Sequence, residues 1–409
     1  MPPSPVLSTT AARIRPPVFA QLQARIDELA AREAPVIPLH IGDTWLEPPE
    51  AARRALAAID PGDASLYRYG PTAGVAALRE AVAGVVRRHG REVDATAEVL
   101  IGNGGTHALY CAARAVLDPG DEVLMATPFW PLAPGIFTSC GAIPVEVPLT
   151  QRLYRDPSLD AGALMASAIT PRTKALYFIS PNNPDGKVLS LRDLESLAAV
   201  AREHGLWVFA DEVYADTVFE GEHRTIASLP EMRERTIVLH SMSKSHALAG
   251  CRVGFAVAPE PVVAAGRRVS THSGFNVSVA MQRIALAALT DDGFPRSARA
   301  LYREARDRAA RALAGAPVKI HLAEGATYLF LDFEPAFTAM DRQRAGEAPL
   351  LALLSRAVDR GVVLAPGDAF GAGYERCARL CTTAAPADQV VSGIERLLDA
   401  LEAMRQGKP

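Results

Sequence analysis

The chain reads as an α/β protein, with a large domain built on a mostly parallel sheet flanked by helices and a smaller α+β domain. Three observations predict this. The middle third alternates short apolar strands with amphipathic helices, the pattern of a parallel sheet covered on both faces. Nearly every notable polar residue falls just after one of those strands, where ligands bind in open α/β sheets. The last third changes to long helices with few strands. At 409 residues the chain exceeds one typical domain. The expected division is an N-terminal arm over residues 1–49 packing with the small domain, a large domain over 50–290 and a small C-terminal domain over 291–409.

Taken in order, residues 18–32 carry a helical pattern and lead to Pro38-Leu39-His40-Ile41-Gly42. A helix over 50–59 ends at the turn Asp60-Pro61-Gly62-Asp63. A second follows Gly74, with Leu78, Val82 and Val85-Val86 at helical spacing. Residues 99–101 read as a strand, followed by a glycine-rich turn and a helix to Leu117, which Asp118-Pro119-Gly120-Asp121 stops. Further strands are expected at 123–126, 175–179, 207–210, 236–240 and 253–258. A helix over 296–313 precedes a strand pair at 319–322 and 328–331. Then come a helix over 350–360, a strand at 362–365 and a terminal helix from Pro386.

Composition narrows the function classes. Hydrophobic residues make up 49% and charged residues 22%, ordinary for a soluble globular protein with room for a buried cleft. A net charge of -3 gives no bulk pull toward nucleic acid or anionic membrane. The pairs Arg53-Arg54, Arg87-Arg88 and Arg267-Arg268 read as solvated helix faces. Five scattered cysteines without a C-x-x-C pair argue against a disulfide framework or a zinc site, and no metal is expected. No secretory signal opens the sequence and no apolar run approaches a bilayer span, so a reducing, cytoplasmic compartment is expected. Only five lysines occur, Lys174, Lys187, Lys244, Lys319 and Lys408, so lysine-dependent chemistry has few candidates.

Four segments carry the chemistry. Gly104-Gly105-Thr106 follows a strand and opens a helix, a place where backbone N–H groups and a hydroxyl suit a phosphate; a glycine turn with Thr as N-cap reads equally well. The sequence is neither a Walker A loop nor a G-x-G-x-x-G fingerprint. Ser180-Pro181-Asn182-Asn183-Pro184-Asp185-Gly186 reads first as a tight turn, and second as an Asn amide aimed into the cleft. Asp211 ends an apolar strand in Ala210-Asp211-Glu212-Val213-Tyr214, where a carboxylate needs a partner such as a protonated ring nitrogen; a helix N-cap is the alternative. Ser241-Met242-Ser243-Lys244 with Arg252 is the strongest segment. A lysine reacts as a nucleophile only when burial or nearby cations favour its neutral form, and Arg252 could serve as that cation and as a phosphate ligand. An exposed surface lysine fits poorly between two apolar strands. Together these residues supply what pyridoxal phosphate requires: a Schiff-base lysine, a carboxylate for the pyridinium nitrogen, a phosphate cup and an aromatic cover.

The sequence resembles the class I/II aminotransferases, fold-type I pyridoxal-phosphate enzymes, and most closely their bacterial aspartate aminotransferase-like branch. The resemblance spans residues 38–383. It is carried by Tyr69-Gly70-Pro71-Thr72-Ala73-Gly74 with Leu78-Arg79-Glu80, by Gly104-Gly105-Thr106, Pro128-Phe129-Trp130 and Asn182-Asn183-Pro184, and by Asp211-Glu212-Val213-Tyr214. Ser241-x-Ser243-Lys244 with Arg252, Pro366-Gly367-x-x-Phe370 and Cys377-Ala378-Arg379-Leu380 complete it. It implies that Lys244 forms the Schiff base and shuttles the substrate Cα proton, and that Asp211 keeps the pyridine nitrogen protonated. Tyr214 and Asn183 would hydrogen-bond the ring phenolate oxygen, and Trp130 would stack on the ring. Gly105, Thr106, Ser241, Ser243 and Arg252 would surround the phosphate, joined by Tyr69 from the partner subunit of a homodimer. Arg379 would grip the substrate α-carboxylate in a bidentate fork, and Gly42 would close over it.

Three departures stand out. Asp185 replaces the usual Thr of the Asn-Pro-Thr-Gly turn, Cys251 stands where Trp is common, and Gly42-Asp43-Thr44-Trp45 replaces Gly-Glu-Pro-Asp in the loop facing the substrate side chain. His40, Trp45, His272 and Tyr328 are further pocket candidates, each with packing as the alternative. The expected reaction is transamination between an amino acid and a 2-oxo acid. A β-lyase or decarboxylase would use the same residues. A non-catalytic module of a transcription regulator is disfavoured, because the arm is too short for a winged helix and Lys244, Asp211 and Arg379 are all present.

Overall fold

A computed structural model describes residues 5–15, 20–31, 35–88, 90–341 and 349–407. Among the described residues ten strands form two sheets. They are β1 (Val99–Asn103), β2 (Glu122–Thr127), β3 (Ile143–Pro148), β4 (Thr173–Ile179), β5 (Trp207–Asp211), β6 (Thr236–Ser241), β7 (Val253–Val257), β8 (Tyr328–Asp332), β9 (Ala365–Pro366) and β10 (Cys377–Cys381). The first seven make one sheet in the order β1-β7-β6-β5-β4-β2-β3, and the last three a second in the order β8-β10-β9.

The large sheet is parallel from β3 through β6, and β7 runs antiparallel to both neighbours. Apart from the edge strand β3, its strands are mostly apolar and buried because each face meets a separate core. Val123 and Met125 pack with Ala175, Tyr177 and Phe209, while Leu124 and Ala126 pack with Leu176, Phe178 and Val208. That period-two division is what a sheet with helices on both faces requires. The helices between strands are set by local signals; Leu191–Glu203, for example, starts at a capping box made by Ser190 and Asp193.

The small antiparallel sheet shares a core with the terminal helix Ala387–Arg405 and with early residues. Leu22, Ile37 and Leu39 pack against Leu329, Leu331, Leu364, Leu380 and Leu397. The expected helix over 18–32 spans Ala20–Ala31; residues 18, 19 and 32 lie outside the described residues, as does Lys408.

Two strand expectations need correction, and one strand was missed. Residues 319–322 make only a single bridge, Lys319 to Asp332. The strand expected at 362–365 is a bridge from Val362 to Ile37 followed by the two-residue β9. Strand β3 was not expected, because Pro144 and Pro148 and a half-exposed pattern disguise it; both features are compatible with its place at the sheet edge.

Candidate active site

The carboxyl ends of β1, β4, β5 and β6 converge on a cavity of about 270 Å³. Since β7 is antiparallel to its neighbours, its amino end lies at that same edge. This brings Arg252, just before β7, beside residues that follow β1 and β6.

Ser241 ends β6, and its hydroxyl accepts from the Ser243 N–H at 3.2 Å and donates to the Ser243 hydroxyl at 2.9 Å. That cap starts the short helix Met242–Ser245, from which Lys244 projects into the cavity. The Lys244 Nζ donates to the carbonyl of Gly42, so the N-terminal segment meets the amine directly. Arg252 sits in the left-handed region at φ 52°, an uncommon conformation for a side-chain-bearing residue. It is pinned by a 2.9 Å bond from Nη1 to the Ala249 carbonyl. Gly104 (φ +77°) lets the arginine lie against the turn, because a Cβ there would come within 2.5 Å of Nη2. Gly105 and Thr106 follow in the first turn of the helix Gly104–Val116, where backbone N–H groups have no partner within the helix, and both line the cavity. Asn103, not Thr106, precedes that helix, so the N-cap alternative for Thr106 does not hold.

Asp211 ends β5 with 5% of its surface exposed. It accepts from the Tyr177 hydroxyl at 3.1 Å and from the Val213 N–H at 3.3 Å, and neither partner is a cation. Burial therefore pushes its carboxyl up to about 7, with those two hydrogen bonds opposing the shift only in part. Glu212 turns away to the buried His223 at 3.0 Å. Tyr214 is buried with its hydroxyl 2.6 Å from that of Tyr328, and burial first, then Tyr328, raises its phenol well above the usual range.

Asn183 lines the cavity, while Asn182 holds the turn through bonds to the Pro128 carbonyl and Asp185; both readings of this segment thus apply, to adjacent residues. Asp185 is buried and accepts from Thr150 at 2.5 Å, Gln151 at 2.9 Å and Asn182 at 2.8 Å. The departure from Thr is a packed polar network beneath the turn. Arg379 on β10 is 6% exposed. It donates from Nη1 to the Asn183 Oδ1 at 2.9 Å and from Nη2 to the His40 carbonyl at 2.7 Å. The His40 ring, lowered to about 4 by burial and then by Arg379, stays neutral at pH 7 and adds no second cation there.

Trp130 also lines the cavity. Tyr69 does not: it is 85% exposed and packs on Phe275 at 4.6 Å. His272 is exposed and bonds the Arg268 carbonyl, and Trp45 packs on Tyr302. Tyr177 escaped the sequence reading; its one signal was a hydroxyl in an otherwise apolar strand. Among the described residues no cluster of His, Cys, Asp or Glu could hold a metal, and no helix is long and apolar enough to cross a membrane.

This arrangement can bond a carbonyl compound at an amine, hold an anionic handle on a rim of N–H groups, hydroxyls and a guanidinium, and bind a carboxylate at a second, buried guanidinium. Comparison with known proteins identifies the family and the fold. A family model described as aminotransferase class I and II matches residues 34–400. The aspartate/prephenate aminotransferase of Thermus thermophilus is 33% identical over 374 residues, covering 90% of this chain and 92% of the relative. The arginine–pyruvate transaminase of Pseudomonas aeruginosa is 35% identical over 342 residues, 82% of each chain. The solved structure of Thermus thermophilus aspartate aminotransferase with maleate superposes with a TM-score of 0.85 at 30% identity, covering 97% of this chain and all (100%) of that one.

Proposed function

This chain belongs to the class I and II aminotransferases, and from that premise we propose that it holds pyridoxal phosphate covalently at Lys244 and moves an amino group from an L-amino acid to a 2-oxo acid. It is an enzyme, a transaminase with the aspartate aminotransferase fold. The observation that carries the cofactor assignment is Asp211. A buried carboxylate without a cationic partner, facing the same cavity as a lysine amine, suits a ligand with a protonated ring nitrogen. When bound, that cofactor supplies an electron-withdrawing ring that stabilises negative charge at the substrate Cα.

The remaining roles belong to the chain. Lys244 moves the proton at the substrate Cα. Asp211 holds the proton on the ring nitrogen, Tyr214 and Asn183 meet the ring oxygen, and Trp130 covers the ring. Gly105, Thr106, Ser241, Ser243 and Arg252 hold the phosphate. Tyr69, exposed in its own chain, joins them from the partner of a homodimer. Arg379, already bonded to Asn183 and braced by the His40 carbonyl, takes the substrate α-carboxylate, and Gly42 closes beside it. The three-part division at residues 49 and 290 is supported by the separate core shared by Leu22, Leu39 and the small sheet. A cytoplasmic setting fits the free cysteines.

Arg379→Lys should lower kcat/KM for amino donors about a hundredfold, mostly through KM, because one ammonium cannot reproduce a charged two-point contact. Steady-state kinetics check this. The function itself is tested by loading the protein with pyridoxal phosphate, adding amino donors one at a time and following conversion of the cofactor to its amine form. Release of ammonia with pyruvate, and no amine form, would instead identify a lyase.

A further inference from the structure

We infer that Tyr328 is a positioning residue that joins Arg379 to Tyr214, so that one side chain braces both the carboxylate clamp and the hydroxyl that meets the cofactor ring. This rests on the roles proposed above for those two residues. Tyr328 opens β8 and is 2% exposed. On the small sheet Arg379 pairs with Phe330, which makes Tyr328 its diagonal neighbour. The Tyr328 ring accordingly lies 4.4 Å from the centre of the Arg379 guanidinium. Tyr214, by contrast, follows β5 of the large sheet. The 2.6 Å contact between the two hydroxyls, with the rings at 78°, therefore links the two sheets at the site. The same hydroxyl crowds Gly42, where a Cβ would overlap it, and the Gly42 carbonyl accepts from Lys244.

The chemistry of a phenol gives this contact a direction. Tyr214 has one proton to donate. If it donates to the ring oxygen, its own oxygen is left to accept, and the Tyr328 hydroxyl is the donor in place. Accepting that bond strengthens Tyr214 as a donor. The Tyr328 ring acts separately: a desolvated guanidinium over an aromatic face is at the strong end of cation–π contacts, and here the other such face is Phe370 at 5.0 Å.

The two halves can be separated by titrating the visible absorption of the loaded enzyme against pH and measuring KM for an amino donor. A donor at the ring oxygen favours the deprotonated form, so weakening it moves the midpoint up. Tyr328→Phe should raise the midpoint by about half a unit, and Tyr214→Phe by about one unit or more. Because Tyr328→Phe keeps the ring, KM should stay within about twofold. Tyr328→Leu removes the ring and should raise KM about tenfold. In a Tyr214→Phe background, Tyr328→Phe should add no further shift; a merely structural effect would persist there. An undiminished shift in that background, or none in Tyr328→Phe beside a clear one in Tyr214→Phe, overturns the inference while leaving the Tyr214 assignment standing. Equal KM values for the Phe and Leu variants overturn the clamp half. No shift in Tyr214→Phe itself overturns the assignment and the inference with it.

Discussion

Lys244→Ala should abolish transamination, lowering kcat by about 10⁴-fold or more, and should remove the visible absorption of lysine-bound pyridoxal phosphate. The size follows from two losses at one atom: the covalent anchor and the group that moves the Cα proton. The rest of the chain offers no replacement among the described residues. Lys174 is exposed at the start of β4, Lys187 is paired with Glu324 at 2.8 Å, and Lys319 is exposed beside its bridge to Asp332. None lines the cavity. The folded state should hardly notice the change, since the lost contact is one half-buried bond to the Gly42 carbonyl, on the order of 1 kcal/mol. Spectra of the loaded variant, activity and thermal melting together check this. A visible band surviving with cofactor still attached would remove Lys244 from the role.

How much of this was legible depends on how far apart in sequence the partners lie. The strands of the large sheet, except β3, announced themselves as short apolar runs because both faces are buried. The residues after them could be read as a site because a charged or hydroxyl side chain at a strand end is conspicuous. Lys244 and Asp211 were visible for that reason, whereas Arg379, in the middle of β10, was carried by the family resemblance alone. The direction of β7 was not: nothing in Val253–Val257 says that it runs against its neighbours, although that reversal is what delivers Arg252. The tyrosine contacts were hidden differently. In a strand, Tyr177 reads as a core residue and Tyr328 as a pocket candidate with packing as the alternative, and both are buried; their hydroxyls matter only because Asp211 and Tyr214, 34 and 114 positions away, fold against them. The substrate-side loop held the same lesson in reverse, since its unusual Trp45 packs on Tyr302 and is not among the residues lining the cavity.

Asp211→Asn should move activity and stability in opposite directions. In the loaded enzyme an amide cannot keep the ring nitrogen protonated, so the electron-withdrawing power of the ring falls and kcat should drop on the order of 10³-fold. In the cofactor-free protein the same change should help. The Asp211 carboxyl is pushed up to about 7 by burial, from 3.8 in an unfolded chain. Between those values the native state holds a proton that the unfolded state has released, so stability falls as pH rises from about 4 to about 7. The contribution is fully present below the unfolded value and lost above the folded one. An amide has no such titration, so the cofactor-free variant should lose this part of the slope and melt higher than the parent at pH 8. Binding of a ligand with a protonated ring nitrogen supplies the missing cation, and the parent, but not the variant, should then regain stability at pH 8. Melting curves across pH 4 to 8 (about one point per unit), with and without pyridoxal phosphate, measure both effects. Identical pH slopes in parent and variant would mean that Asp211 already has its partner within the protein, and would leave the cavity without its reason to select a cationic ring.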